Sequence, residues 1–282
     1  MEEPGKTSAA TADRENLQAR CRICDSECEP FGSALVLNKY DVRYFSCGHC
    51  GFVQTERPYW LEEAYGSAIA PIDIGPLDRA LRMAETTKAL AVTFFNPWKP
   101  CLDFGAGYGL LVRRLRDLGL DFRYYDRHCA NLFAQGFEAT PFCGDRFELV
   151  TAFEVAEHLE DPVADFERIL ACTPNLFFST EILPPHRPGP QDWWYYVPEF
   201  GQHISIFSRK SLDVMAQRLN KRLLSSGSLH LLTDKHIPAA LYSLVLEPRV
   251  ARRAAHCVGA WRGLGSRLAR DFEKGAGTSM RS

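Results

Sequence analysis

The stretch Pro100-Cys101-Leu102-Asp103-Phe104-Gly105-Ala106-Gly107-Tyr108-Gly109-Leu110 decides the fold. Residues 100–104 have the composition of a short strand, residues 105–109 carry three glycines spaced two apart, and residues 110–118 follow with the spacing of a helix that ends near Gly119. Closely spaced glycines between a strand and a helix let a backbone approach a ligand that side chains would block. The helix start behind them offers N–H groups with no partner in the chain. The dinucleotide fingerprint G-x-G-x-x-G needs its third glycine where this chain has Leu110, so the loop is a poor match to pyrophosphate binding.

The same alternation extends outward from this loop. Strands are predicted over 121–125, closing on Asp126, over 147–153 and over 175–180, with helices over 76–95, 154–170 and 208–219. A proline- and aromatic-rich loop fills 181–203. Repeated strand–helix order predicts an α/β fold with a mostly parallel sheet covered by helices on both faces.

Gly105-x-Gly107-x-Gly109 behind Asp103 resembles the D-x-G-x-G-x-G loop of class I S-adenosylmethionine (SAM) methyltransferases. The segment Phe153-Glu154-Val155-Ala156-Glu157-His158 resembles the E-x-x-E-H motif that one subgroup carries after a later strand. The run from Asp192-Trp193-Trp194-Tyr195-Tyr196 to Gly201-Gln202-His203 is similar to that subgroup's acceptor loop. The resemblance spans about residues 85–235 and implies a Rossmann-like sheet of seven strands with SAM at the carboxyl ends of the strands. It implies cofactor contacts from Asp103, Gly105, Gly107, Tyr108, Gly109, Asp126 and Phe153. Asp126, 21 residues beyond Gly105, is placed to accept both ribose hydroxyls, and Asp103 to orient the methionine ammonium. The stretch between Asp126 and Phe147 is short, with Phe142 and Asp145 as its adenine-side candidates.

Methyl transfer is an in-line displacement, so the protein mainly aligns an acceptor and excludes water, and some acceptors also need a proton removed. Glu154, Glu157 and His158 stand at i, i+3 and i+4, which a helix would gather on one face, and His203 lies on the loop after the following strand. Three uses stay open. The four residues resemble the Mg²⁺ sites of ubiquinone-pathway and small-RNA 2′-O-methyltransferases. Alternatively, His158 or His203 is a metal-free base with Glu154 facing the acceptor, or Glu157 and His158 only cap and pack. Trp193, Trp194, Tyr195, Tyr196 and Phe200 supply wall material for an acceptor pocket or for the core.

Cys21/Cys24 and Cys47/Cys50 form two CxxC pairs separated by 22 residues. That spacing reads as a structural zinc ribbon, each pair giving two thiolates to a tetrahedral ion, with Cys28 and His49 in reserve. A similar ribbon precedes the catalytic core in sugar C-methyltransferases. Cys101, Cys129, Cys143, Cys172 and Cys257 show no pattern, and most of them read as buried apolar groups.

The 282 residues, 46% apolar with a net charge of −2, leave room for this core and a small appendage. The expected division is a leader over 1–20, a ribbon over 21–70, a turn-like linker over 71–75, a SAM-binding core over 76–235 and a basic helical extension over 236–282. No apolar run approaches the roughly 20 residues of a bilayer span. The N-terminus lacks the apolar centre of a secretory signal, so a soluble, cytoplasmic chain is expected. A near-neutral charge gives no global drive toward nucleic acid. The expected activity is O- or C-methylation of a small molecule; the alternative is a non-catalytic SAM- or nucleotide-binding partner subunit assembled through the ribbon and the basic tail.

Overall fold

The computed structural model describes residues 19–66, 75–142 and 144–279. Residues 1–18 of the expected leader over 1–20, residues 67–70 of the expected ribbon, the linker residues 71–74, Cys143 and residues 280–282 lie outside the described residues. Three strands open the described chain: β1 (Cys28–Val36), β2 (Tyr40–Cys47) and β3 (Val53–Thr55), followed by the short helix α1 (Leu61–Ala64). They form an antiparallel sheet whose fourth strand, β8 (Ser205–Ile206), comes from far along the chain and pairs Val53 with Ile206 and Gln54 with Ser205. The N-terminal sheet therefore draws a strand from the span expected to hold only the cofactor fold.

The larger sheet is built from β4 (Cys101–Phe104), β5 (Phe122–Tyr125), β6 (Val150–Ala152), β7 (Asn175–Ser179), β9 (Arg222–Ser226) and β10 (Leu229–Thr233), in the spatial order β5-β4-β6-β7-β10-β9. The first four run parallel, and β10 is antiparallel to both its neighbours. Six strands replace the seven expected. Among the described residues, the sheet continues beyond β5 only as one parallel bridge between Tyr124 and Glu138. The short stretch after Asp126 reaches the sheet edge there but does not pair along it.

Helices α2 (Pro76–Phe94), α3 (Leu110–Asp117) and α6 (Ala239–Leu246) cover one face, while α4 (Pro162–Leu170), α5 (Arg209–Arg218) and the cysteine-bearing knuckles cover the other. Strand alternation assigns the side chains: Leu176 and Phe178 of β7 join the second face and Phe177 the first. The two faces together are a core buried on both sides of the sheet, as parallel strands require. Helices α7 (Pro248–Trp261) and α8 (Leu268–Ser279) finish the described chain. Ala251, Ala255 and Gly259 of α7 are buried, Ala251 and Ala255 sharing an apolar cluster with Ala89 of α2. Asp271 of α8 is inserted beside Arg116 of α3 (2.7 Å).

The helix expected over 154–170 is corrected. Pro162 bars the residue before it from helical geometry, so α4 starts there, with the Asp161 carboxylate accepting from the Ala164 amide. Upstream, Glu154 adopts φ +54 and residues Ala156–His158 form a single 3-10 turn. Glu154, Glu157 and His158 do not share a helix face.

Candidate active site

The carboxyl ends of β4, β5, β6 and β7 open into one cavity of about 1870 Å³. Its floor is the glycine loop, where Gly105, Gly107 and Gly109 take φ values of +71, +55 and +87. A Cβ on Gly105 would stand 2.5 Å from Val155 Cγ2, so this glycine lets the loop lie against the turn after β6. A Cβ on Gly107 would meet nothing within 4 Å, and the residue faces the cavity. The first position expected to approach a ligand by backbone is therefore open.

Asp126 follows β5, as expected. Its Oδ2 accepts from the Gly107 amide (2.9 Å), and its Oδ1 accepts from the His128 and Cys129 amides (2.7 and 2.8 Å). The carboxylate thus shapes the glycine loop as well as facing the mouth. Tyr124, missed in the sequence, clamps the same loop: its one hydroxyl hydrogen is shared between the carbonyls of Gly107 and Cys129. The alternation of Phe122 and Tyr124 into the core was its only signal. Asp103 is buried at the end of β4 and accepts from the Thr151 hydroxyl (2.6 Å). Burial pushes its carboxyl up to about 7, despite the Thr151 bond and with help from Asp126. Tyr108 and Phe153 also line the cavity, and Phe153 is set edge-on to Phe177 at 5.2 Å.

Across the mouth, the structure gathers Glu157, His158 and His203, each with one donor atom within 4.8 Å of the others. Glu154 is not in that group: its Oε1 accepts from Ser179 Oγ (2.7 Å), which in turn accepts from the Glu154 amide (2.8 Å). This exchange holds the left-handed backbone at Glu154, a non-glycine residue in a costly conformation beside the cavity. Glu157 is fully buried, and neither carboxylate oxygen has a hydrogen-bond partner among the described residues. Burial, and then the nearby Glu154, raises its carboxyl well above the usual range.

His203 Nδ1 lies 2.5 Å from the Tyr195 carbonyl. A carbonyl only accepts, so Nδ1 carries the hydrogen and Nε2 keeps its lone pair in the neutral ring. Burial lowers this imidazole to about 4. Burial also lowers His158 well below its ordinary value, with smaller effects from His203 and His128. The two rings stand edge to face at 5.0 Å. His158 Nδ1 is met by the Tyr65 hydroxyl at 3.2 Å, and the Tyr65 ring stacks on His128 at 4.6 Å. Tyr65 comes from the segment after α1 and had no sequence signal. Of the expected aromatic wall, Trp194 and Phe200 line the cavity, whereas Tyr195 and Tyr196 are buried in the core. Phe142 packs edge-on against Tyr125 at 5.7 Å.

Away from the mouth, Cys21, Cys24, Cys47 and Cys50 bring their sulfurs within 4.8 Å of one another, with Cys21–Cys50 and Cys24–Cys47 at 3.5 Å. Four sulfurs at the usual zinc–sulfur bond length sit about 3.8 Å apart in a tetrahedron. The amides of Ile23 and Cys50 point at Cys21 and Cys47 sulfur (both 3.4 Å), which suits thiolates. Cys28 stands opposite Cys47 across the β1–β2 ladder, beside the cluster.

Residues 77–226 match a family described as a methyltransferase domain. No curated protein sequence matches the chain. Among solved structures, a magnesium protoporphyrin IX methyltransferase from Synechocystis PCC 6803 is 13% identical, covering 61% of this chain and 90% of that one at a TM-score of 0.41. Human N-acetylserotonin methyltransferase is 14% identical over 63% of this chain and 66% of that one, with a TM-score of 0.42. The plantazolicin methyltransferase BpumL is 11% identical over 61% and 94%, with a TM-score of 0.44.

Proposed function

The chain belongs to the family of methyltransferase domains, and we propose that it methylates a small-molecule acceptor held between the glycine loop and the His158–His203 pair. One observation carries the reading: a single cavity joins the half-buried Gly107 backbone and Asp103 to both imidazoles. When bound, SAM supplies the electrophilic methyl group. Gly105, Gly107 and Gly109 would let the backbone meet the nucleoside, Asp126 would take the ribose hydroxyls, and Asp103 would pair with the methionine ammonium. Phe153 and Tyr108 would supply apolar cover.

On the acceptor side, His203 Nε2 is the base. Its hydrogen is already committed to the Tyr195 carbonyl at Nδ1, and it stays unprotonated at neutral pH because burial holds its basicity down. Trp194 and Phe200 would close over the acceptor and exclude water. A base at this place suits O-methylation, or C-methylation at an acidic carbon, in which the acceptor must lose a proton. The test is a screen of acceptors with products identified by mass. Turnover retained at full rate in His203→Ala would remove the proposed base. SAM binding without turnover of any acceptor would favour a non-catalytic partner subunit.

The four cysteines fit one Zn²⁺ in a structural role, holding knuckles that have little core of their own. Freshly purified protein should carry about one zinc per chain. A second use of the acceptor group is favoured by the orphaned Glu157 carboxylate: with His158 and His203 it offers one oxygen and two nitrogens to a divalent ion. Turnover that survives chelation while the ribbon keeps its zinc would eliminate that use.

A further inference from the structure

Arg22 lies between the two cysteines of the first knuckle, yet its guanidinium reaches the acceptor side of the molecule. Nη1 donates to the Ile204 carbonyl (3.2 Å), and Nη2 donates to the carbonyls of Thr55 and Glu56 (2.9 and 3.3 Å). The Arg22 amide is itself fixed by Gln54 Oε1 (2.9 Å), and Gln54 Nε2 donates back to the Arg20 carbonyl (2.8 Å). Ile204 follows His203 directly, and its own amide donates to the Glu157 carbonyl (2.9 Å). The Thr55 amide also donates to the Ile204 carbonyl (3.2 Å).

The backbone of one residue, Ile204, thus connects three parts of the molecule. Its neighbours are His203 on one side, Glu157 and His158 through the amide, and the cysteine knuckle through Arg22. A second tie runs parallel to the first: the Ser208 hydroxyl donates to the Cys50 carbonyl at 2.6 Å. The arrangement around Arg22 is costly. A half-buried guanidinium is held by carbonyls rather than by a carboxylate, and its charge is disfavoured by burial. A salt-bridged or apolar residue would serve packing alone at less expense.

We propose that Arg22 is a positioning residue that couples the four-cysteine site to His203, so that the state of the knuckle sets the orientation of the base. This rests on the reading of His203 as the acceptor-facing base. The coupling acts through the backbone of residue 204, whose hydrogen bonds go to Arg22, Thr55 and Glu157 and not to the glycine loop. Disturbing the knuckle should therefore alter His203 while leaving SAM binding intact.

The test uses the full chain with its metal and ¹⁵N-labelled histidine, comparing wild type, Arg22→Met, Arg22→Lys and wild type treated with a chelator. Wild type should show His203 protonated at Nδ1 with a bare Nε2. Arg22→Met should hold its zinc and bind SAM within about twofold of wild type, but lose the single-tautomer pattern at His203. Arg22→Lys should restore part of it, and chelation should reproduce the loss. An unchanged His203 pattern in Arg22→Met, or after zinc is removed, would overturn the coupling. Loss of zinc from Arg22→Met together with a wild-type pattern in Arg22→Lys would reduce Arg22 to a stabiliser of the knuckle and overturn it equally. Absence of methyl transfer in wild type would sink the methyltransferase reading without touching the histidine signals, so the two failures are separable.

Discussion

The Tyr65 hydroxyl lies 3.2 Å from Nδ1 of His158, so the segment after the N-terminal sheet engages one of the two imidazoles of the acceptor site. That bond leaves Nε2 as the ring nitrogen available to the mouth. Burial raises the Tyr65 phenol well above its ordinary value, so it stays a neutral hydroxyl at working pH. Tyr65→Phe keeps the stack on His128 and deletes only the hydroxyl. Turnover of the acceptor found in the screen should fall about tenfold, with SAM affinity unchanged by titration. A weakened SAM affinity with normal turnover would place Tyr65 on the cofactor side instead.

Asp103 ties cofactor binding to pH. Its folded-state carboxyl sits at about 7, above the ordinary carboxylate value. Between those two values the folded chain holds a proton that the unfolded chain has lost. Its contribution to stability is therefore complete below the unfolded value and declines as pH rises toward 7. Ionisation is what an ammonium partner needs, so SAM affinity should strengthen in the same interval. Calorimetric titration should find binding roughly tenfold tighter at about pH 7.5 than at about pH 5.5. Asp103→Asn should bind weakly with no such pH dependence, and melt higher than wild type at alkaline pH.

The glycines separate folding from binding. Gly105→Ala forces a methyl group against Val155 Cγ2 in a left-handed backbone and should cost about 1–3 kcal/mol of stability. Gly107→Ala has open space around its methyl, so its stability loss should stay near the roughly 1 kcal/mol of the backbone term. That methyl would stand in the proposed SAM site, and SAM affinity should drop at least about tenfold. Thermal melts paired with SAM titrations on both variants check this ordering.

The C-terminal helices are anchored by charge. Arg116 and Asp271 each expose 5% of their side chains, and the guanidinium of Arg116 also bonds Asp121 and the Phe122 carbonyl. Asp271→Ala leaves a buried cation with fewer partners and should destabilise the chain by about 2–4 kcal/mol in denaturant unfolding. A loss under about 0.5 kcal/mol would mean that α8 contributes little to the fold.

The geometry of the glycine loop was legible because its signals are local: a strand, a loop of glycines, a helix and an acid one strand later. The four cysteines were legible for the same reason, since each knuckle is four residues long. The acceptor half was not. Pro162 delays α4, so the helical spacing of Glu154, Glu157 and His158 was a coincidence of sequence, and long-range contacts gather Glu157, His158 and His203. Tyr65 and Arg22 act across separations of 93 and 182 residues, which no local period reveals. The absent seventh strand follows from a segment after Asp126 that makes one bridge where a strand would make a ladder.

The pairing of β3 with β8 also bears on the order in which the chain is made. Gln54 waits for Ser205, about 150 residues later, before the N-terminal sheet acquires its last strand. At a synthesis rate of about 5–20 residues per second, roughly ten to thirty seconds separate the two. Through that interval the edge of β3 emerges from the ribosome without its neighbour. Early metal capture by the cysteines would give the nascent segment a folded form while it waits.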